Sequence, residues 1–138
     1  MSLMKSAYED QLIVLLRWSL ALVFIWFGLL KVWGYNPVSD LIAAVSPFLA
    51  SGVGLVLLGI FETAVGVGLI VNRFRVFVHL LLVFHLIGTF LTFFTGLSVV
   101  FDPHFPVLSL DGEFVVKNLV LATAGLLVLL HRSKRDQR

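Results

Sequence analysis

The stretch VFVHLLLVFHLIGTFLTFFTG, residues 76–96, holds two histidines and three threonines but no lysine, arginine, aspartate or glutamate. The hydrocarbon core of a bilayer is about 30 Å thick and takes about 20 apolar residues of helix to cross, which is the length of this run. Working outward, residues 12–34, 47–71 and 114–130 supply three more runs of the same kind. Backbone polar groups in lipid must bond internally, which leaves helices or closed barrels. Barrel strands alternate with period two over about ten residues, and none of the four runs does so. The sequence therefore predicts an all-α integral membrane protein, a bundle of four transmembrane helices forming one domain over residues 1–138.

Composition agrees. Hydrophobic residues make up 59% of the chain and charged ones only 13%, against roughly a quarter charged in soluble domains, which excludes a soluble globule. Cysteine is absent, so disulfides, thiolate metal ligands, covalent haem attachment and thiol relays are excluded. Residues 1–11 are short and mixed in charge, and the apolar run after them exceeds the roughly 7 to 15 residues of a cleaved signal. The first span is expected to stay as a signal anchor.

Lysine and arginine set orientation, because short loops that carry them stay in the cytoplasm. Of ten such residues, Lys5, Arg73, Arg75, Arg132, Lys134, Arg135 and Arg138 fall on one side. Both termini are therefore expected in the cytoplasm, and the basic tail reads as a topology signal and not as a nucleic-acid site. Acids gather on the other side, at Asp40, Asp102, Asp111 and Glu113, and Trp33 and Tyr35 mark that interface. Between spans one and two, Leu41, Ile42, Val45, Phe48 and Leu49 recur at helical spacing behind Ser39 and Asp40. That pattern predicts a short amphipathic helix lying on the outer membrane surface. Pro47 fits the first turn of span two, and residues 97–113 read as a turn-rich cap or a mobile lid.

Ionisable groups within a span cost several kcal/mol, roughly 3 on insertion scales, so they usually face the bundle interior and pair. Glu62 and His85 fall near mid-span, Arg17 and His79 nearer the cytoplasmic side, and Lys31, Lys117 and Asn118 nearer the outside. Arg17 and Lys31, close to four helical turns apart, share one face of span one. His85, Thr89, Thr92 and Gly96 form a polar stripe on span three. Gly52, Gly59 and Gly66 repeat every seven residues beside Glu62, and small residues at that spacing let helices approach closely. Asn118, Ala122 and Gly125 give span four a comparable face. These stripes predict a tight bundle with a polar pocket opening outward, built from Glu62, His85, Lys31, Lys117, Asn118 and Arg17. Lys31 and Lys117 are expected to meet, or to share a partner, at its mouth. The bland alternatives are that the cations snorkel to the interfaces and that His79 is a structural hydrogen-bonder. A mid-span carboxylate cannot snorkel, so Glu62 is either neutral or paired. A metal site is not expected: His-Glu-x-x-His spacing is missing, and His79 and His85, six apart, point about 120° from one another.

The order and spacing of these residues resemble the DoxX-like superfamily of small four-helix membrane proteins, including its YkgB-type relatives. The resemblance is carried by Arg17 with Phe27-Gly28-Leu29-Leu30-Lys31, by Gly59-Ile60-Phe61-Glu62-Thr63-Ala64-Val65-Gly66, and by Lys117-Asn118-Leu119. It covers nearly the whole chain. It implies a bacterial inner-membrane protein and, for some members, a link to quinone-coupled electron transfer or membrane oxidoreductase complexes. Two functional readings stay open. One is an accessory or scaffolding subunit of a membrane complex, with its small-residue faces against partner subunits or further copies of the chain. The other is a quinone- or lipid-interacting oxidoreductase component, with Lys31, Lys117, Glu62 and His85 bonding the head group.

Overall fold

The computed structural model describes residues 2–131. Four long helices dominate it: α1 (Ser2–Val32), α4 (Gly52–Val71), α5 (Arg75–Thr95) and α7 (Leu110–Leu130). Each is long and apolar enough to cross a membrane, α1 through its Ala7–Val32 portion. Three short helices, α2 (Ser39–Val45), α3 (Pro47–Ala50) and α6 (Leu97–Val100), join them. The spans alternate in direction, so the short helices and residues 101–109 gather at one end. The carboxyl end of α7 and the turn at 72–74 gather at the other. The all-α four-helix membrane bundle is thus present. The cations at 132, 134, 135 and 138 that weighed on orientation lie outside the described residues.

Helix boundaries follow local chemistry. Beyond α1, Gly34 has φ 85°. The amide of Tyr35 donates to the Leu30 carbonyl (2.8 Å) and that of Gly34 to Lys31 (3.0 Å). This is the left-handed glycine cap that satisfies terminal carbonyls. Span two starts at Gly52 and not at Pro47, a correction to the reading of Pro47 as its first turn. The cause is a pair of serine caps: Ser46 Oγ accepts from the Leu49 amide and Ser51 Oγ from the Gly54 amide (3.3 Å), so the chain breaks at Ser51. Span four starts at Leu110, ahead of Phe114, because Ser109 Oγ accepts from the Gly112 amide (2.9 Å). Asp111 and Glu113 then sit in the first turn, where the helix dipole favours acids.

The main core lies mid-bundle, where Leu20, Ala21 and Phe24 of α1 meet Val65 and Leu69 of α4, Val78, Leu82 and Leu86 of α5, and Ala124 and Val128 of α7. A second cluster joins Val38 and Leu41 to Val100 and Val115. The short helix expected between spans one and two is present as α2, with Asp40 exposed and Leu41 packed down onto the bundle. At the opposite end Arg75 donates to the carbonyls of Val128 (3.0 Å) and His131 (2.8 Å), and His131 meets Asp10 at 2.7 Å, tying α5 and α1 to the end of α7.

Helices α1 and α4 pack most closely. A Cβ on Gly28 would fall 2.6 Å from the Gly59 carbonyl, and one on Gly59 would fall 2.5 Å from the Gly28 carbonyl, so neither backbone leaves room for a side chain. Gly66 likewise faces the Ala21 carbonyl. Gly52, the third member of the heptad, has nothing within 4 Å and takes no part, because α4 has only just begun there.

Candidate functional site

The glycine contact between α1 and α4 sets the register of two charged residues. Lys31 follows Gly28 by three residues and Glu62 follows Gly59 by three, which puts each on the same helix face as its glycine. Lys31 Nζ donates to Glu62 Oε2 at 2.7 Å, with 5% of each side chain exposed. From α5, His85 Nε2 approaches the other carboxylate oxygen, Oε1, at 3.5 Å. One carboxylate therefore bridges an ammonium and an imidazole, the three groups coming from three different spans. Aromatic rings fix the imidazole: Phe24 meets it edge-on (5.3 Å between centroids) and Phe61 stacks on it (6.2 Å). The Lys31 ammonium also lies 5.9 Å from the centre of the Phe27 ring, within cation–π range.

The triad forms part of the wall of a cavity of about 550 Å³ between α4 and α5. Val38, Leu41 and Val45 close it at the loop-rich end, and Gly88, with nothing near its Cβ position, leaves part of the space open. Thr89 and Thr92 line it too, but Thr89 Oγ1 donates to the His85 carbonyl and Thr92 Oγ1 to the Thr89 carbonyl (2.6 Å). Their hydroxyl protons are thus taken by their own helix, and the lining beyond the triad is mainly apolar. The rim consists of exposed side chains within the spans, Leu57, Phe84, Ile87 and Leu91. The cavity accordingly opens sideways, toward lipid. This corrects the expectation of a pocket opening at the outer end, which α2 covers.

The six residues read from the sequence divide. Lys31, Glu62 and His85 come together. Asn118 is buried, but its amide donates to the Phe114 carbonyl at 2.9 Å, within its own helix. Arg17 is half-buried, 14 residues before Lys31 on α1, a helical rise of roughly 21 Å, out of reach of Glu62. Lys117 does not join the buried site and does not meet Lys31. Its side chain is 72% exposed and pairs with Glu113 one turn earlier (2.8 Å), the i, i+4 partner that its own helix offers first.

The sequence reading missed Phe24 and Phe61 as the clamp on His85, the Gly28 contact, and Gly88. Gly88 carried a signal: a lone glycine inside an apolar helix costs about 1 kcal/mol against alanine and so points to a packing or functional reason. The phenylalanines carried none, being two of 13 in the chain.

Chemically, an ammonium has three donors, of which Glu62 takes one. A carboxylate has about four acceptor positions, and those not turned to Lys31 and His85 remain. The centre can donate to and accept from a ligand at once, and holds an imidazole 3.5 Å from a carboxylate oxygen. No family model matches the chain, and no curated protein or solved structure matches it significantly.

Proposed function

We propose that this membrane protein binds a quinone-class ligand, an apolar ring with polar oxygen substituents, in the cavity between α4 and α5. The observation that carries this reading is a mainly apolar space of about 550 Å³ with one polar cluster, Lys31, Glu62 and His85, and a lipid-facing rim. Ligand cavities commonly combine apolar walls with a few placed polar groups that fix orientation. Quinones live in the bilayer and would enter through that rim. Lys31 and His85 donate to ring carbonyls. Glu62 accepts from ring hydroxyls, so both oxidation states of the ligand have hydrogen-bond partners. The resemblance of the Lys31 and Glu62 motifs to the DoxX-like superfamily supports the same ligand class and a bacterial inner-membrane setting, and the distribution of lysine and arginine supports cytoplasmic termini.

The test is equilibrium binding of a radiolabelled short-tailed benzoquinone to the full chain in lipid nanodiscs. Saturable binding of one quinone per chain is expected. His85→Phe, which keeps a ring between Phe24 and Phe61 but removes the nitrogens, should weaken it roughly tenfold, the worth of one hydrogen bond. Partitioning without saturation in a folded protein, together with a protein partner that copurifies stoichiometrically, would replace this reading with that of an accessory subunit. Orientation has its own test, made clean by the absence of native cysteine. In cells, His104→Cys should react with an impermeant reagent, and Arg73→Cys only after permeabilisation.

A further inference from the structure

At the end of the bundle where α7 finishes stands an arginine that neither the triad nor its cavity uses. Arg17 shares a face of α1 with Leu20, Ala21 and Phe24 of the main core, so it is aimed into the bundle. Its depth follows from the tight seam. Gly28 meets Gly59 there and Ala21 meets Gly66, an antiparallel register that, carried on, sets Arg17 level with the last residues of α4, which ends at Val71. Helical side chains lean toward the amino end, which on α1 is away from mid-bundle. The guanidinium therefore stands at the membrane boundary, the depth of lipid phosphates.

Nothing among the described residues balances its charge. No acidic side chain there pairs with it, and the charged neighbour that acts on it is Arg75, of the same sign. Asp10, two turns earlier on α1, meets His131 instead. Arg17 Nε is closed off and has no hydrogen-bond partner among the described residues. It alone of the guanidinium nitrogens is in that state, so Nη1 and Nη2 are the ones a ligand can reach on this half-buried side chain. Their N–H bonds form a fork that matches two oxygens of one phosphate.

Beside Arg17, Trp18, Leu22 and Trp26 follow one another at four-residue spacing along α1, all exposed. They make an apolar stripe that begins at the depth of Arg17 and runs toward mid-bundle, with an indole at the boundary, where such rings concentrate. A phospholipid has the same order, phosphate at the boundary and acyl chain inward.

We propose that Arg17 is the centre of a binding site for an anionic phospholipid, whose phosphate takes the two Nη groups and whose acyl chain lies along Trp18, Leu22 and Trp26. Basic pockets between membrane helices take anionic headgroups in this way. Two guanidiniums acting on one place favour a headgroup that stays negative over one whose own ammonium cancels its phosphate. A free phosphate offers the same oxygens without the chain. The site lies roughly 21 Å along α1 from Lys31 and does not depend on what the triad cavity holds.

The test is native mass spectrometry of the full chain released from nanodiscs of equimolar phosphatidylglycerol and phosphatidylcholine with the same acyl chains. One phosphatidylglycerol per chain should be retained in preference to phosphatidylcholine. Arg17→Gln should cut that preference about fivefold, the worth of one basic residue beside an anionic leaflet. Arg73→Gln, which removes an exposed cation from the turn at the same end, should leave it nearly unchanged. If Arg17→Gln fails to fold, Arg17→Lys keeps the charge but replaces the fork by a point donor, and should still lower retention; parental retention in that variant would overturn the site. Equal retention of the two lipids, a preference that survives Arg17→Gln, or loss of the bound phosphatidylglycerol to millimolar inorganic phosphate would each overturn the proposal, the last by assigning the guanidinium to a free anion.

Discussion

Helix α4 presents two unlike faces. Toward α1 it offers Gly59 and Gly66, and the two backbones come so close that carbonyls occupy the places of side chains. Toward α5 it offers Leu57, Leu58 and Phe61, and a cavity of about 550 Å³ stays open. Glu62 sits between them, bonded to Lys31 across the tight seam and in contact with His85 across the open one. The tight seam therefore holds the charged pair in register, while the open seam lets that pair face a space. A polar centre carried on rigidly packed helices keeps its geometry better than one carried on loops.

The harshest way to break this contrast is to put a side chain into the tight seam. Gly28→Leu would drive a branched side chain into the Gly59 carbonyl and Thr63. Overpacking of ordinary cores costs about 1 to 3 kcal/mol and occasionally more, and here the obstacle is mostly backbone, so a cost at or above the top of that range is expected. Thermal unfolding in mild detergent should find little folded protein. A near-parental midpoint would mean that the seam is looser than the structure has it.

Next in size is the charged pair. Glu62→Ala leaves Lys31 buried without its partner, and breaking a buried pair from one side typically costs about 3 to 5 kcal/mol. Removing both charges together, as Lys31→Met with Glu62→Gln, should restore most of that stability, since replacing a whole buried pair is often neutral or better. The measurement is a double-mutant cycle on unfolding free energy. Additive losses would show that the 2.7 Å contact carries no coupling and that each residue is held by something else.

How much of this was visible in the sequence depends on what each feature rests upon. Span number and helix type rest on continuous apolar length, a local property, and residues 76–96 alone gave the type. The inward direction of Glu62 rests on the cost of a carboxylate in lipid, which is also local. Lys117 shows where such reasoning stops. Depth along a helix was legible, but which way the residue faces was not, and its i, i+4 neighbour Glu113 decided the matter. The break at Ser51 was hidden for a related reason: Ser46 and Ser51 each cap a turn, and only the fold of α3 over Gly54 shows that both are used. The cavity was least legible of all, because an empty space is the sum of side chains from α2, α4 and α5 and no single residue encodes it. Gly88 came nearest to a clue.

The gentlest substitution sharpens the comparison most. Gly88→Phe places a ring where Gly28→Leu placed a clash, yet Gly88 has no atom within 4 Å of its Cβ position. Helix side chains lean toward the amino end, so the new ring would lie toward His85, three residues earlier and on the same face, and occupy the cavity. Phenylalanine also suits a helix interior better than glycine, by a few tenths of a kcal/mol. Stability should therefore change by less than about 1 kcal/mol, whereas saturable quinone binding should be lost. The two readouts answer different questions. A loss of stability near that of Gly28→Leu would mean that α4 and α5 are packed as tightly as α4 and α1, which removes the contrast itself. Unchanged stability with unchanged binding would leave the contrast standing but put the ligand elsewhere than the space beside Glu62.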